Sequence, residues 1–186
     1  MKRLFCAVKI HITNEILDSI VLFQNELKDE SIKWVNTDNL HLTLKFFGDT
    51  GAESEAKIIN ALNKAGEVMK AFSFYLAGLG YFGPRRSPRV LWIGIKQPAG
   101  LQILYKHINK YLTPLGYTPD KPNFVPHLTV GRIKDLKNIN SFHNLLLTYE
   151  DKNYGAQHID SFALYQSILR PQGPKYHVVK KWILNG

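Results

Sequence analysis

Two short stretches set a histidine two positions ahead of a threonine: His41 and Thr43 in NLHLTLKFFG (39–48), and His127 and Thr129 in FVPHLTVGRI (124–133). Each pair lies in a run otherwise rich in leucine, valine and phenylalanine, which reads as a strand. Side chains alternate across a strand, so His41 and Thr43 share one face while Leu40, Leu42, Leu44 and Phe46 share the other. In the second run His127 and Thr129 face one way, Leu128 and Val130 the other. The apolar face packs and the polar one is left for a cleft. An imidazole, with an unperturbed pKa of about 6.5, takes up or releases a proton near neutral pH. Two imidazoles at one site therefore suit a general acid and a general base, and the threonine hydroxyls can donate to phosphate oxygens. Attack of water on a strained cyclic phosphodiester, with departure of a sugar hydroxyl, would use both protons and no metal.

Seven histidines and eight threonines in 186 residues predict about 0.3 such pairs by chance. Three occur. The third, His11 and Thr13, lies where a strand gives way to a helix, so Thr13 reads as an N-cap and His11 as structural. The other two share an H-L-T triplet, an alternating apolar flank and matching places in a repeat. Facing histidines also suit a metal ion. Neither motif carries an acidic residue on its own strand face, and Asp49 is read as lying beyond the strand end, so no metal is expected. Lys45 has the parity of His41 and Thr43 and is read as a second cation at the site. Arg132 falls on the face opposite His127 unless Gly131 makes a bulge that redirects it, and it is read as phosphate-binding.

These motifs need elements to hold them. RLFCAVKI (3–10) reads as a buried strand. Three apolar stripes at spacings of three and four mark helices: Ile16, Ile20, Phe23, Leu27; then Ile58, Leu62, Ala65, Met69; then Leu101, Leu104, Ile108, Leu112. FSFYLAGLGYF and RVLWIGI flank GPRRSP, and IDSFALYQSI and HVVKKWIL flank LRPQGPKY; both read as hairpins around basic loops. At the offset set by the histidines, 127 − 41 = 86, the loop from Pro84 to Arg89 falls on residues 170–175 without a gap. A unit of His-x-Thr strand, helix and basic hairpin thus occurs twice, as in an internally duplicated fold. Arg85, Arg86 and Arg89 in one loop and Arg170 and Lys175 in the other are candidate contacts to an RNA backbone. Phe47, Tyr81, Phe82 and Tyr165 are candidates for stacking on a base.

Composition agrees. A formal charge of +9 and a pI near 9.6 suit a partner rich in phosphate, and 45% hydrophobic residues support a folded core rather than disorder. Cys6 is the single cysteine, so an intramolecular disulfide and a cysteine-based zinc site are ruled out and a reducing cytoplasm fits. The opening MKRLFCAVKIHITNE turns polar by position 11, too early for a secretory signal, and no window has the apolar length to span a bilayer.

With RLFCAVKI, NLHLTLKFFGD, GLGYFG, PRVLWIGI, PNFVPHLTVGRI and LYQSILRPQGPKYHVVKKW, the chain resembles the 2H phosphoesterase superfamily over nearly its whole length. Within it the likeness is to the RNA 2′,3′-cyclic phosphodiesterases, also called LigT-like 2′-5′ RNA ligases. The resemblance implies an α+β, bilobal duplicated fold, with antiparallel sheets and flanking helices around a central cleft, residues 1–186 forming one such domain. It implies opening of a terminal 2′,3′-cyclic phosphate to a 2′-phosphomonoester, with His41 as proton donor to the leaving 3′ oxygen and His127 as the acceptor that activates water. Thr43, Thr129 and Arg132 carry over as phosphate-binding residues, and no cofactor is implied. The expected partner is RNA ending in a cyclic phosphate, met by a cytoplasmic monomer with no membrane attachment. Two other readings stay open: action on small cyclic or 2′-5′ linked nucleotides, including 2′-5′ ligation, and an RNA or nucleotide binding module without turnover.

Overall fold

In the computed structural model, which describes residues 1–119, 124–171 and 173–185, strand β1 (Lys2–Lys9) is buried without a break from Leu4 to Val8. A strand apolar on both faces belongs inside a covered sheet. Here β1 pairs antiparallel with β3 (His41–Thr50) on one side and β8 (Ser161–Ile168) on the other. The first sheet runs β3-β1-β8-β9, with β9 (Lys175–Ile183) at its edge. The second runs β2-β6-β5-β4-β7, from β2 (Ser31–Trp34) through β6 (Leu128–Asp135), β5 (Val90–Lys96) and β4 (Phe72–Phe82) to β7 (Asn153–Ile159). Every neighbouring pair is antiparallel.

The apolar stripes form helices. α1 (Asn14–Glu26) buries Ile16, Ile20 and Phe23, with Leu27 buried just past its end. The Thr13 hydroxyl caps it by accepting from the Ile16 N–H, satisfying a donor the first turn leaves open. α2 (Ala52–Glu67) buries Ile58, Leu62 and Ala65, and α3 (Ala99–Leu112) buries Leu101, Leu104, Ile108 and Leu112. α4 (Ile139–Thr148) also has a stripe, Phe142, Leu145 and Leu146, all buried. α1 packs on β7, α3 and α4 on β4, and α2 on both α3 and β9. The α2–β9 contact is fixed by Trp182, whose Nε1–H donates to Asn63 Oδ1 at 2.8 Å while its ring stacks on Phe162.

Moving 86 positions along the chain carries β1, α1, β3, α2 and β4 onto β5, α3, β6, α4 and β8. The last strand of each set lies in the other set's sheet: β4 beside β5, β8 beside β1. The β4–β5 hairpin that follows His41 in sequence therefore builds the sheet of His127, and the β8–β9 hairpin builds the sheet of His41. This exchange ties the lobes together and makes the cleft between them composite. Among the described residues no helix is long and apolar enough to cross a membrane.

Candidate active site

A cavity of about 790 Å³ is lined by His41, Thr43, His127, Thr129 and Arg132 together. The two histidines are oriented by the same device. His41 Nδ1 lies 2.6 Å from the Asn39 carbonyl, and His127 Nδ1 lies 2.9 Å from the Val125 carbonyl, each two residues back. A carbonyl can only accept, so each Nδ1 carries the hydrogen, and Nε2 is the ring nitrogen with the chemistry to exchange a proton with a substrate. Aromatic rings hold the imidazoles: Phe5 and Tyr176 flank His41 at 4.9 and 5.2 Å, and Phe82 and Trp92 flank His127 at 4.6 and 6.3 Å. Burial holds the His41 imidazole below the ordinary histidine value; its bond to Asn39 opposes this, while the charges of Arg132 and His127 press it lower. Arg132 and His127 thus both act on His41 across the cleft.

Bulges decide which other side chains reach it. Along β3, Thr43 pairs with Ala7 and Lys45 with Cys6, so Leu44 is an extra residue and the alternation slips. Lys45 is thereby turned away from the cleft, correcting its expected place beside His41. It is 3% exposed, and its Nζ donates to the Thr118 carbonyl at 2.6 Å. Phe46, expected on the packing face, instead lines the cavity at 56% exposure, an aromatic that simple alternation hides. Along β6 the equivalent slip leaves out Val130, between Thr129 opposite Trp92 and Gly131 opposite Leu91, and this places Arg132 on the cleft. Shifted by 86 residues, Phe46 and Arg132 occupy the same place, one in each lobe. β3 continues to Thr50, so Asp49 lies within the strand, opposite Arg3, rather than beyond its end.

Of the loop cations, Arg170 and Lys175 line the cavity, whereas Arg85, Arg86 and Arg89 are not among the described residues that do. Phe47, Tyr81, Phe82 and Tyr165 are also outside that lining; Phe47 packs on Tyr117, Tyr81 on Phe142, Phe82 on His127 and Tyr165 on Phe5. Sequence reasoning missed Arg3, Lys33 and Tyr176, because each reaches the site only through strand pairing, and Asn39, whose role is played by its backbone carbonyl and by a bond to the distant Pro174. Lys33 is the direct cross-strand neighbour of Arg132, a like-charge pairing that costs stability in a sheet and favours an anion between them. Among the described residues no aspartate or glutamate lines the cavity, and no three His, Cys, Asp or Glu gather as a metal site.

Gly80 supports the second histidine from behind. A methyl group there would overlap the six-membered ring of Trp92, which lies over β4 and contacts both Phe82 and His127. Gly80→Ala is expected to cost about 1–3 kcal/mol in thermal unfolding, as overpacking does. It should also lower kcat by displacing His127, and an unchanged Tm and kcat would show that the indole is not held this way.

Comparison with known proteins gives the same grouping. The LigT like Phosphoesterase family matches residues 10–92 and again 93–176. The chain belongs to this family. A LigT-like relative from Methanocaldococcus jannaschii, named RNA 2′,3′-cyclic phosphodiesterase, is 35% identical over 97% of this chain and 99% of its own. One of the same name from Archaeoglobus fulgidus is 35% identical over 94% of this chain and 96% of its own. Among LigT-like structures, E. coli LigT complexed with 3′-AMP superposes with a TM-score of 0.76 at 28% identity, covering 100% of this chain and 99% of that one.

Proposed function

We propose that this LigT-like phosphoesterase hydrolyses the 2′,3′-cyclic phosphate at the end of an RNA strand to a 2′-phosphomonoester. The observation that carries the reading is the pair of imidazoles, each pinned at Nδ1 by a carbonyl and each lining one cavity that also holds Arg132 and no described carboxylate. Relatives named for this reaction, and a related structure holding a nucleotide, support it. His127 Nε2 takes a proton from water as the water oxygen bonds to phosphorus. The P–O3′ bond breaks, and His41 Nε2–H gives its proton to the departing 3′ oxygen. Arg132 and the Thr43 and Thr129 hydroxyls neutralise charge growing on the phosphoryl oxygens, and Phe46 offers a face on which the terminal base stacks. These side chains supply both proton transfers and the charge compensation.

The deciding experiment is incubation of the purified protein, in EDTA, with a short RNA ending in a 2′,3′-cyclic phosphate, followed by separation of 2′- and 3′-phosphate products. Conversion to the 2′-phosphate at an unchanged rate in EDTA is expected. The 3′-phosphate as product would reverse the direction of ring opening, and loss of the rate on chelation would require a metal in the reaction.

A further inference from the structure

Chemistry at one phosphorus needs one or two cations, yet the cavity is lined by five: Arg3, Lys33, Arg132, Arg170 and Lys175. None of them forms an ion pair among the described residues, and no described acidic residue shares the lining. Like charges gathered without counter-charge repel one another, and a polyanion relieves that repulsion. Lys33 and Arg132 are cross-strand neighbours in the second sheet and belong with the reacting phosphate. The other three belong to the first sheet and its β8–β9 loop. Tyr176, edge-on to His41, lies within the electrostatic reach of both Arg132 and Arg3, which links the two groups of cations.

The β8–β9 loop is tied to the catalytic strand. In the first sheet β8 and β9 lie beyond β1 from β3, yet Asn39 Nδ2–H donates to the Pro174 carbonyl at 2.9 Å. The same Asn39 accepts the His41 Nδ1–H through its own carbonyl. One residue therefore holds both the acid and the loop that carries Arg170 and Lys175.

We propose that Arg3, Arg170 and Lys175 form a subsite for the phosphodiester on the 5′ side of the cyclic end, so that a 5′-extended RNA strand is favoured over a mononucleoside cyclic phosphate. This rests on the reaction proposed above. A ribose whose 2′ and 3′ oxygens are both held in the cyclic phosphate continues its chain only through the 5′ oxygen. The next phosphate is then the nearest anion beyond the reacting one, and the three cations not engaged at the reacting phosphate receive it. Asn39 makes the subsite part of the catalytic geometry rather than a detached patch.

The test compares kcat/KM for a tetraribonucleotide ending in a 2′,3′-cyclic phosphate with that for the matching mononucleoside 2′,3′-cyclic phosphate. The ratio is expected to favour the tetranucleotide and to fall about tenfold in the double variant Arg170→Ala, Lys175→Ala, with each charge-assisted contact contributing part of that factor. The slope of log(kcat/KM) against log[salt] on the tetranucleotide should flatten by about 1.4 as two contacts are lost. Arg85→Ala with Arg86→Ala removes the same charge outside the cavity and should leave the ratio in place; an equal fall there would mean diffuse attraction and overturn the subsite. So would a ratio near one in the unmodified protein, or a ratio untouched by the Arg170 and Lys175 changes, with both substrates still hydrolysed. Hydrolysis of neither substrate would overturn the reaction itself, and the subsite with it.

Discussion

His127→Ala is expected to slow turnover steeply on any phosphodiester, while His41→Ala is expected to do so only where the leaving oxygen needs a proton. On an RNA cyclic phosphate each variant should lose about 10²–10⁴-fold in kcat, the range that general acid or base catalysis supplies. The two separate on an aryl phosphodiester, because a nitrophenolate departs without protonation. There the His41 variant should recover most of the unmodified rate and the His127 variant should not, since water must still be deprotonated. Both folds should survive, as each imidazole is only partly buried at the cavity and circular dichroism can confirm it. Recovery by the His127 variant instead would exchange the two roles. Retention of most activity by either variant on RNA would end the acid-base reading.

Arg132→Ala should lower kcat/KM by about 10²–10³-fold, the cost of removing a charged donor aimed at a developing oxyanion. Arg132→Lys should recover only part of this, because an ammonium cannot make the two parallel bonds of a guanidinium. The same change has a signature in pH. His41 must be protonated to act as the acid, so activity falls as pH rises through its pKa in the free protein. Burial first, and then the positive charges of Arg132 and His127, hold that pKa below the ordinary value, which places the alkaline limb of kcat/KM lower than a free imidazole would give. Removing Arg132 takes away one depressing charge, so the limb should move to higher pH while the maximum falls. A bound phosphate anion acts the same way on His41, and the alkaline limb of kcat should therefore lie above that of kcat/KM. A loss of rate with no movement of either limb would place Arg132 too far from His41 for the proposed site.

Local pattern carried a large part of this molecule. The helix stripes from Ile16, Ile58 and Leu101 are written in side chains three and four apart, and the packing that buries them needs only that spacing. The hairpin strands Phe72–Phe82 and Val90–Lys96 follow from apolar runs around a proline-containing loop. The histidine pairs and the 86-residue offset were likewise legible, because a duplicated motif repeats in the order of the chain itself. Strand β7 and helix α4 were not singled out, lying between the second motif and its hairpin where the first copy has no extra strand.

What alternation along a strand could not supply was the third member of each cavity-lining face. A bulge is an event of pairing between two strands, and one extra residue reverses every later side chain. The bulge at Leu44 exchanged Lys45 for Phe46, and that at Val130 brought Arg132 round to His127. The second omission has the same origin. Arg3 reaches the cavity through the pairing of β1 with β3, and the Arg170–Lys175 loop reaches Asn39 and His41 only because β8 and β9 cross into that sheet, a pairing between residues more than a hundred positions apart. The sequence by itself thus determined which groups are the candidates for the chemistry and which elements carry them. The tertiary structure alone decided which cations and aromatics surround them, since strand register and strand exchange are set by contacts that no local spacing records.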